Sequence, residues 1–143
     1  MTVKLILERK GRDVVTMKPN VTLAQAAARL AEKRIGAVIL LNEDAGVAGI
    51  LSERDIVRLI GTQGPSCLDE PVSQVMTLEV VTCPEKTTVA EAMEIMTERR
   101  FRHLPVVEGG KLVGLVSIGD VVKQRIAAAE QEAEDIRNYI AAS

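Results

Sequence analysis

Apolar residues along this chain alternate between two spacings, and the alternation runs through the same order twice. Val3, Ile6 and Leu7 fall at helical spacing and the run stops at Gly11, which predicts a short opening helix. Val14-Val15-Thr16 predicts a very short strand. Thr22 followed by Gln25 is a capping-box pattern, and Leu23, Ala26, Ala27 and Leu30 form one apolar stripe behind it. A helix is expected there to about Arg34, with Gly36 as its terminator. Ala37-Val38-Ile39-Leu40-Leu41 is apolar without alternation, which predicts a strand buried on both faces. Residues 42–46 supply a turn and Val47 to Leu51 the return strand of a hairpin. Ser52 opens a second helix to about Ile60. Gly61-Thr62-Gln63-Gly64-Pro65-Ser66 reads as a linker, and residues 71–76 as a single helical turn.

From Val80 the order begins again. Val80-Val81-Thr82 matches Val14-Val15-Thr16. Thr88 with Glu91 is a second capping box, and Val89, Ala92, Met93 and Met96 repeat the stripe. Leu104 to Val107 predicts a strand, residues 108–111 a turn, and Leu112 to Val116 the return, with Ser117 opening the last helix. Asn42 is a one-residue insertion in the first hairpin turn. Each copy is therefore strand, helix, strand, strand, helix. Stacked repeat arrays need at least about three copies, so two copies are expected face to face about a pseudo-twofold axis. The divisions drawn along the chain are 1–61 for the opening helix and first repeat, 62–79 for linker and short helix, and 80–143 for the second repeat and C-terminal helix. Beyond the repeat, Val122, Ile126, Ala129, Ala133, Ile136 and Ile140 form a heptad stripe flanked by charged residues. The stripe predicts an extended C-terminal helix that either folds back on its own domain or pairs with a second chain, and of the two a homodimer is the expectation.

Composition narrows the chemistry. At 143 residues, 47% hydrophobic and 27% charged, the chain has enough apolar material for a core. Its net charge of −2 lacks the basic footprint of a nucleic-acid binder, and with one Phe, one Tyr and no Trp it lacks base-stacking platforms. Cys67, Cys83 and a single histidine make no metal-type set, so no metal site is expected and the thiols are read as reduced. No secretory h-region and no apolar run of membrane-span length occur, which leads to the expectation of a soluble, cytoplasmic protein.

What remains is a repeated phrase. Gly49-Ile50-Leu51-Ser52-Glu53-Arg54-Asp55 and Gly114-Leu115-Val116-Ser117-Ile118-Gly119-Asp120 share Gly, two aliphatics, Ser, two variable residues and Asp. The Ser-x-x-Asp core is also a helix cap, so it alone does not decide between cap and site. Each phrase, however, feeds a strand into a helix N-terminus, where free amides and the dipole favour a phosphate. A Ser hydroxyl adds a donor there, and an Asp one turn on suits the vicinal hydroxyls of a ribose. Arg102 and His103 lie beside Pro105, and Arg54 lies inside the first phrase.

These phrases, together with Arg102-His103-Leu104-Pro105-Val106, resemble the CBS domain, and the tandem pair resembles a Bateman module of the small stand-alone bacterial type. The resemblance implies an α+β fold of two β-α-β-β-α repeats and binding of adenosine nucleotides (AMP, ADP, ATP, NAD(H) or S-adenosylmethionine) in two clefts. It implies one cleft built from Ser52, Arg54 and Asp55 with Thr82, Arg102, His103 and Pro105. The other would combine Ser117, Gly119 and Asp120 with Thr16, Met17, Gly36, Ala37 and Val38. The first, richer in cations, is expected to prefer anionic ligands, whereas Gly119 offers the second no charge. The function expected is that of a regulatory sensor responding through conformational change, with no obligatory cofactor and no catalytic residues, passing its signal to a separate protein partner. The alternatives are a structural dimerisation module with unfilled clefts and, more remotely, a nucleotide-processing enzyme.

Overall fold

A computed structural model describes residues 1–142. Its elements in chain order are α1 (Val3–Lys10), β1 (Thr16–Met17), α2 (Leu23–Lys33), β2 (Ala37–Leu41), β3 (Val47–Ser52), α3 (Glu53–Gln63), α4 (Val89–Arg99), β4 (His103–Glu108), β5 (Lys111–Ser117) and α5 (Ile118–Ala142). Two 3₁₀ turns, Pro65–Asp69 and Val72–Gln74, join the repeats. The order is that of an α+β pair of β-α-β-β-α repeats with an added helix at each end.

The chain forms two compact units. One holds residues 13–81 with 107–113; the other holds residues 1–12, 82–106 and those from Gly114 on. In the first unit β1 runs parallel to β2, pairing Thr16 with Ile39, and β2 runs antiparallel to β3, pairing Ala37 with Ser52. Val38, Ile39 and Leu40 have no exposed surface, as an unalternating apolar strand requires. Val38 and Leu40 pack with Leu23, Ala26 and Leu30 from α2, Leu51 from β3 and Ile56 from α3. The predicted capping box holds α2 in place: the Thr22 hydroxyl accepts from the Gln25 amide at 3.2 Å, and Gln25 returns the bond to the Thr22 amide at 2.9 Å.

Strands β4 and β5 form a hairpin whose 107–113 end is counted with the first unit, and in the second unit α4 begins at the reciprocal pair of Thr88 and Glu91. Helix α1 belongs to this unit. The Val3 amide donates to the Thr87 carbonyl at 2.8 Å, the Val89 amide donates to Met1, and Val3 and Leu7 are fully buried.

Four local expectations change. Helix α2 is ended by Arg34 in the left-handed conformation (φ 54°), two residues before Gly36, and Arg100 ends α4 in the same way (φ 59°). Helix α3 continues through Gly61-Thr62-Gln63, which the Gly-rich composition marked as linker. Nothing stops the helix until Gly64 takes φ 80° ahead of Pro65. The first strand of repeat one is Thr16–Met17, shifted from Val14-Val15-Thr16. In repeat two the strand expected at Val80-Val81-Thr82 is reduced to a single parallel bridge between Cys83 and Val106.

Candidate functional site

Each repeated phrase builds the same piece of backbone. A return strand ends on Ser and a helix starts at the next residue. The Ser52 hydroxyl accepts the Asp55 amide at 3.2 Å, while Asp55 Oδ2 accepts the Ser52 amide at 2.9 Å. Ser117 and Asp120 repeat the exchange at 3.1 and 2.9 Å. Both phrases are thus complete capping boxes, with Asp in the place where Glu or Gln is usual. In each, the carboxylate uses only Oδ2 for the cap. The remaining Oδ1 makes no protein hydrogen bond among the described residues, and Arg58 lies 3.7 Å from that of Asp55.

A second matched bond ties each phrase to the strand beside it. The Glu53 amide donates to the Gly36 carbonyl at 2.9 Å, and the Ile118 amide donates to the Arg102 carbonyl at 2.7 Å. The residue preceding β2 or β4 is therefore stitched to the first residue of α3 or α5. Thr16, Met17, Gly36, Ala37, Val38, Ser52, Arg54 and Asp55 all lie in the first unit, on three adjacent strands and the helix that follows. Thr82, Arg102, His103, Pro105, Ser117, Gly119 and Asp120 all lie in the second. What the structure brings together is each phrase with the strand edge of its own repeat. The Cys83 amide donates to the Pro105 carbonyl at 3.0 Å, which places Thr82 next to this edge as well.

The glycine that opens each phrase has a packing role that motif reading missed. A Cβ at Gly49 would sit 2.6 Å from Met76 Sδ and 2.9 Å from the Thr77 carbonyl oxygen. One at Gly114 would sit 2.6 Å from a Leu7 methyl. Both glycines let a preceding segment lie directly on the return strand. At Gly119, by contrast, a Cβ would meet only Ser117 Oγ at 3.6 Å, so the space there is open.

The two phrases differ in their charged neighbours. Lys10 Nζ reaches Asp120 Oδ2 at 2.6 Å and the Leu115 carbonyl at 2.9 Å. Partial burial of Asp120 raises its pKa, but Lys10 and the Ser117 cap together outweigh that and hold it below the ordinary Asp range. This pair joins residues far apart in the chain, and no short-range pattern announces it. Arg12 and Glu85 form a further ion pair in the same unit. A groove of about 430 Å³ runs between α2 and α3, lined by aliphatics with Arg34, Gly36 and Glu53 at its edge. Ser52 and Asp55 do not line it. Among the described residues no cluster of His, Cys, Asp or Glu fits a metal ion, and no helix is long and apolar enough to cross a membrane.

Comparison with known proteins agrees with this architecture. The family model described as the CBS domain matches residues 10–62 and again 72–126. A 17.7 kDa protein of Acidianus ambivalens is 40% identical over 111 residues, covering 77% of this chain and 66% of that protein. The chain thus spans just under two thirds of that relative's length. The crystal structure of a CBS-domain-containing protein from Agrobacterium tumefaciens is 50% identical, with a TM-score of 0.84 over 87% of this chain and 99% of that one. A CBS-domain protein of Pyrobaculum aerophilum, solved in complex with AMP, is 29% identical, with a TM-score of 0.75 over 84% of this chain and 89% of that one. Two matches to one family model, on the same two repeats that carry the capped phrases, settle the relationship: this chain belongs to the CBS-domain family and carries two CBS domains in tandem.

Proposed function

We propose that this chain is a regulatory sensor of adenosine nucleotides, drawn from AMP, ADP, ATP and NAD(H), that responds by ligand-dependent conformational change. One observation carries the reading: Asp55 and Asp120 each commit one carboxylate oxygen to a helix cap and keep the other without a protein hydrogen bond among the described residues. That is the acceptor a ribose hydroxyl needs, held by the cap in the first turn of a helix. The AMP complex of the Pyrobaculum relative supports the ligand class. The contacts in this reading are Ser52, Arg54, Asp55, Ser117, Gly119 and Asp120 of the two phrases, with Thr16, Met17, Gly36, Ala37, Val38, Thr82, Arg102, His103 and Pro105.

The test is direct. Mass spectrometry of small molecules released from the denatured protein should find an adenosine nucleotide, and calorimetric titration with AMP, ATP and NADH should rank the candidates. Asp55→Asn and Asp120→Asn keep an acceptor for the cap but remove the charge. Each is expected to weaken binding about tenfold or more; Asp55→Asn should move the ligand-free thermal midpoint little, whereas Asp120→Asn also gives up the Lys10 ion pair and should lower it modestly. No released nucleotide and no titratable binding would sink the reading.

A second reading, a structural dimerisation module, is favoured by the completeness of the two capping boxes. Under it the same variants would change stability alone. In either reading the exposed face of α5 pairs two copies of the chain. As a sensor the protein works in the cytoplasm and passes its signal to a separate protein, whose binding must reciprocally alter nucleotide affinity.

A further inference from the structure

Ile118-Gly119 stand in the second phrase where the first has Glu53-Arg54, so the second phrase carries no cation of its own. The fold supplies one from the end of α1. Lys10 Nζ donates to Asp120 Oδ2 and to the Leu115 carbonyl, which engages two of its three protons and leaves the third. The Lys10 side chain keeps 38% of its surface exposed, and Asp120 keeps 25%. The ammonium is held there by the docking of α1, since Leu7, one turn earlier, is fully buried against Gly114. Gly119, the residue before Asp120, leaves open space in which a Cβ would meet only Ser117 Oγ, the hydroxyl that accepts the Asp120 amide. At the first phrase the cation facing the carboxylate is Arg58, 3.7 Å away, 71% exposed and borne on the same helix.

We infer that Lys10 is a specificity-determining residue of the second phrase, a cation that engages the phosphate of a nucleotide whose ribose hydroxyls bind Asp120. This rests on the nucleotide reading above and goes beyond it: the second phrase selects nucleotides over nucleosides, with a charge contributed from outside the repeat.

The experiment uses the full chain carrying Asp55→Asn, so that binding reports the second phrase. AMP and adenosine are titrated by calorimetry with Lys10 intact, with Lys10→Met and with Lys10→Arg. Lys10→Met should lower the preference for AMP over adenosine by at least about threefold, and Lys10→Arg should retain it. With Lys10 intact, the preference should fall as salt rises. Equal losses for both ligands would mean that Lys10 only positions Asp120. Tighter binding of both would mean that it merely occupies the carboxylate. Either result overturns the inference, as does complete loss of binding in the Asp55→Asn chain when the unsubstituted chain binds. If Lys10→Met fails to fold, the salt series decides, and a flat preference counts against Lys10. If the unsubstituted chain binds neither ligand, the nucleotide reading falls and this inference falls with it.

Discussion

At the scale of single residues, the repeated phrase is a reciprocal helix cap: the Ser hydroxyl accepts the Asp amide and Asp Oδ2 accepts the Ser amide. The cap leaves Asp Oδ1 without a hydrogen bond among the described residues, so the cap and the proposed ribose contact do not compete for one atom. The opening glycine is a third element, set by packing. Gly49→Ala would press a methyl against a backbone carbonyl that cannot rotate away, at a cost of about 1–3 kcal/mol in a urea melt. Lys10 and Asp120 carry a pH signature. The Asp120 pKa is depressed in the folded state, so its contribution to stability is full above the ordinary Asp value of about 3.9 and is lost as pH falls through the depressed value. Lys10→Met removes one cause of the depression. The variant should melt below the wild type at neutral pH, and the two midpoints should converge in the acid range. A gap of constant size across pH would assign the Lys10 effect to packing of its alkyl stem.

At the scale of elements, the local signals were legible and the distant ones were not. Thr22 with Gln25 and Thr88 with Glu91 predicted helix starts because a cap is decided within four residues. The apolar run Ala37–Leu41 predicted a buried strand because only a doubly covered strand tolerates it. Gly61 misled, since a glycine weakens a helix without ending one, and φ 80° at Gly64 with Pro65 behind it is the true stop. Val80-Val81-Thr82 misled because a strand needs a partner ladder, and only the bridge at Cys83 forms. The link from Lys10 to Asp120 spans 110 residues and was beyond any periodicity argument. Helix α5 illustrates the other side. The heptad stripe was read from spacing, and Ile126, Ile136 and Ile140 on it are more than half exposed, as is Tyr139 nearby. Such a row of aliphatics is unusual on a helix with no partner. Replacing Ile136→Lys and Ile140→Lys together should shift sedimentation from dimer to monomer and leave the helical circular dichroism largely intact. An unchanged sedimentation coefficient would place any self-association elsewhere.

At the scale of the whole molecule, the two CBS domains do not use their polypeptide in the same way. The unit of the first repeat is nearly one continuous stretch, residues 13–81, with 107–113 added. The unit of the second is assembled from three stretches, and one of them is the first twelve residues of the chain. The phrases are alike, the stitching bonds are alike, and the return-strand glycines serve alike. What covers those glycines differs: Met76 and Thr77, just beyond the Val72–Gln74 turn, in the first unit, and α1 in the second. A duplicated domain has thus kept the capped backbone of its phrase while changing the segment laid against it, and the charge at the second phrase changed with that segment.

That arrangement has a consequence for the order of events on the ribosome. Helix α1 is made well before its partners Thr87, Gly114 and Asp120. Through most of synthesis Val3, Ile6 and Leu7 have no core to enter, while residues 13–81 can already collapse on their own sheet. The apolar face of α1 therefore stays unsheltered until those partners emerge, and a long loop must close before it is buried, an arrangement that slows folding and prolongs exposure of apolar surface.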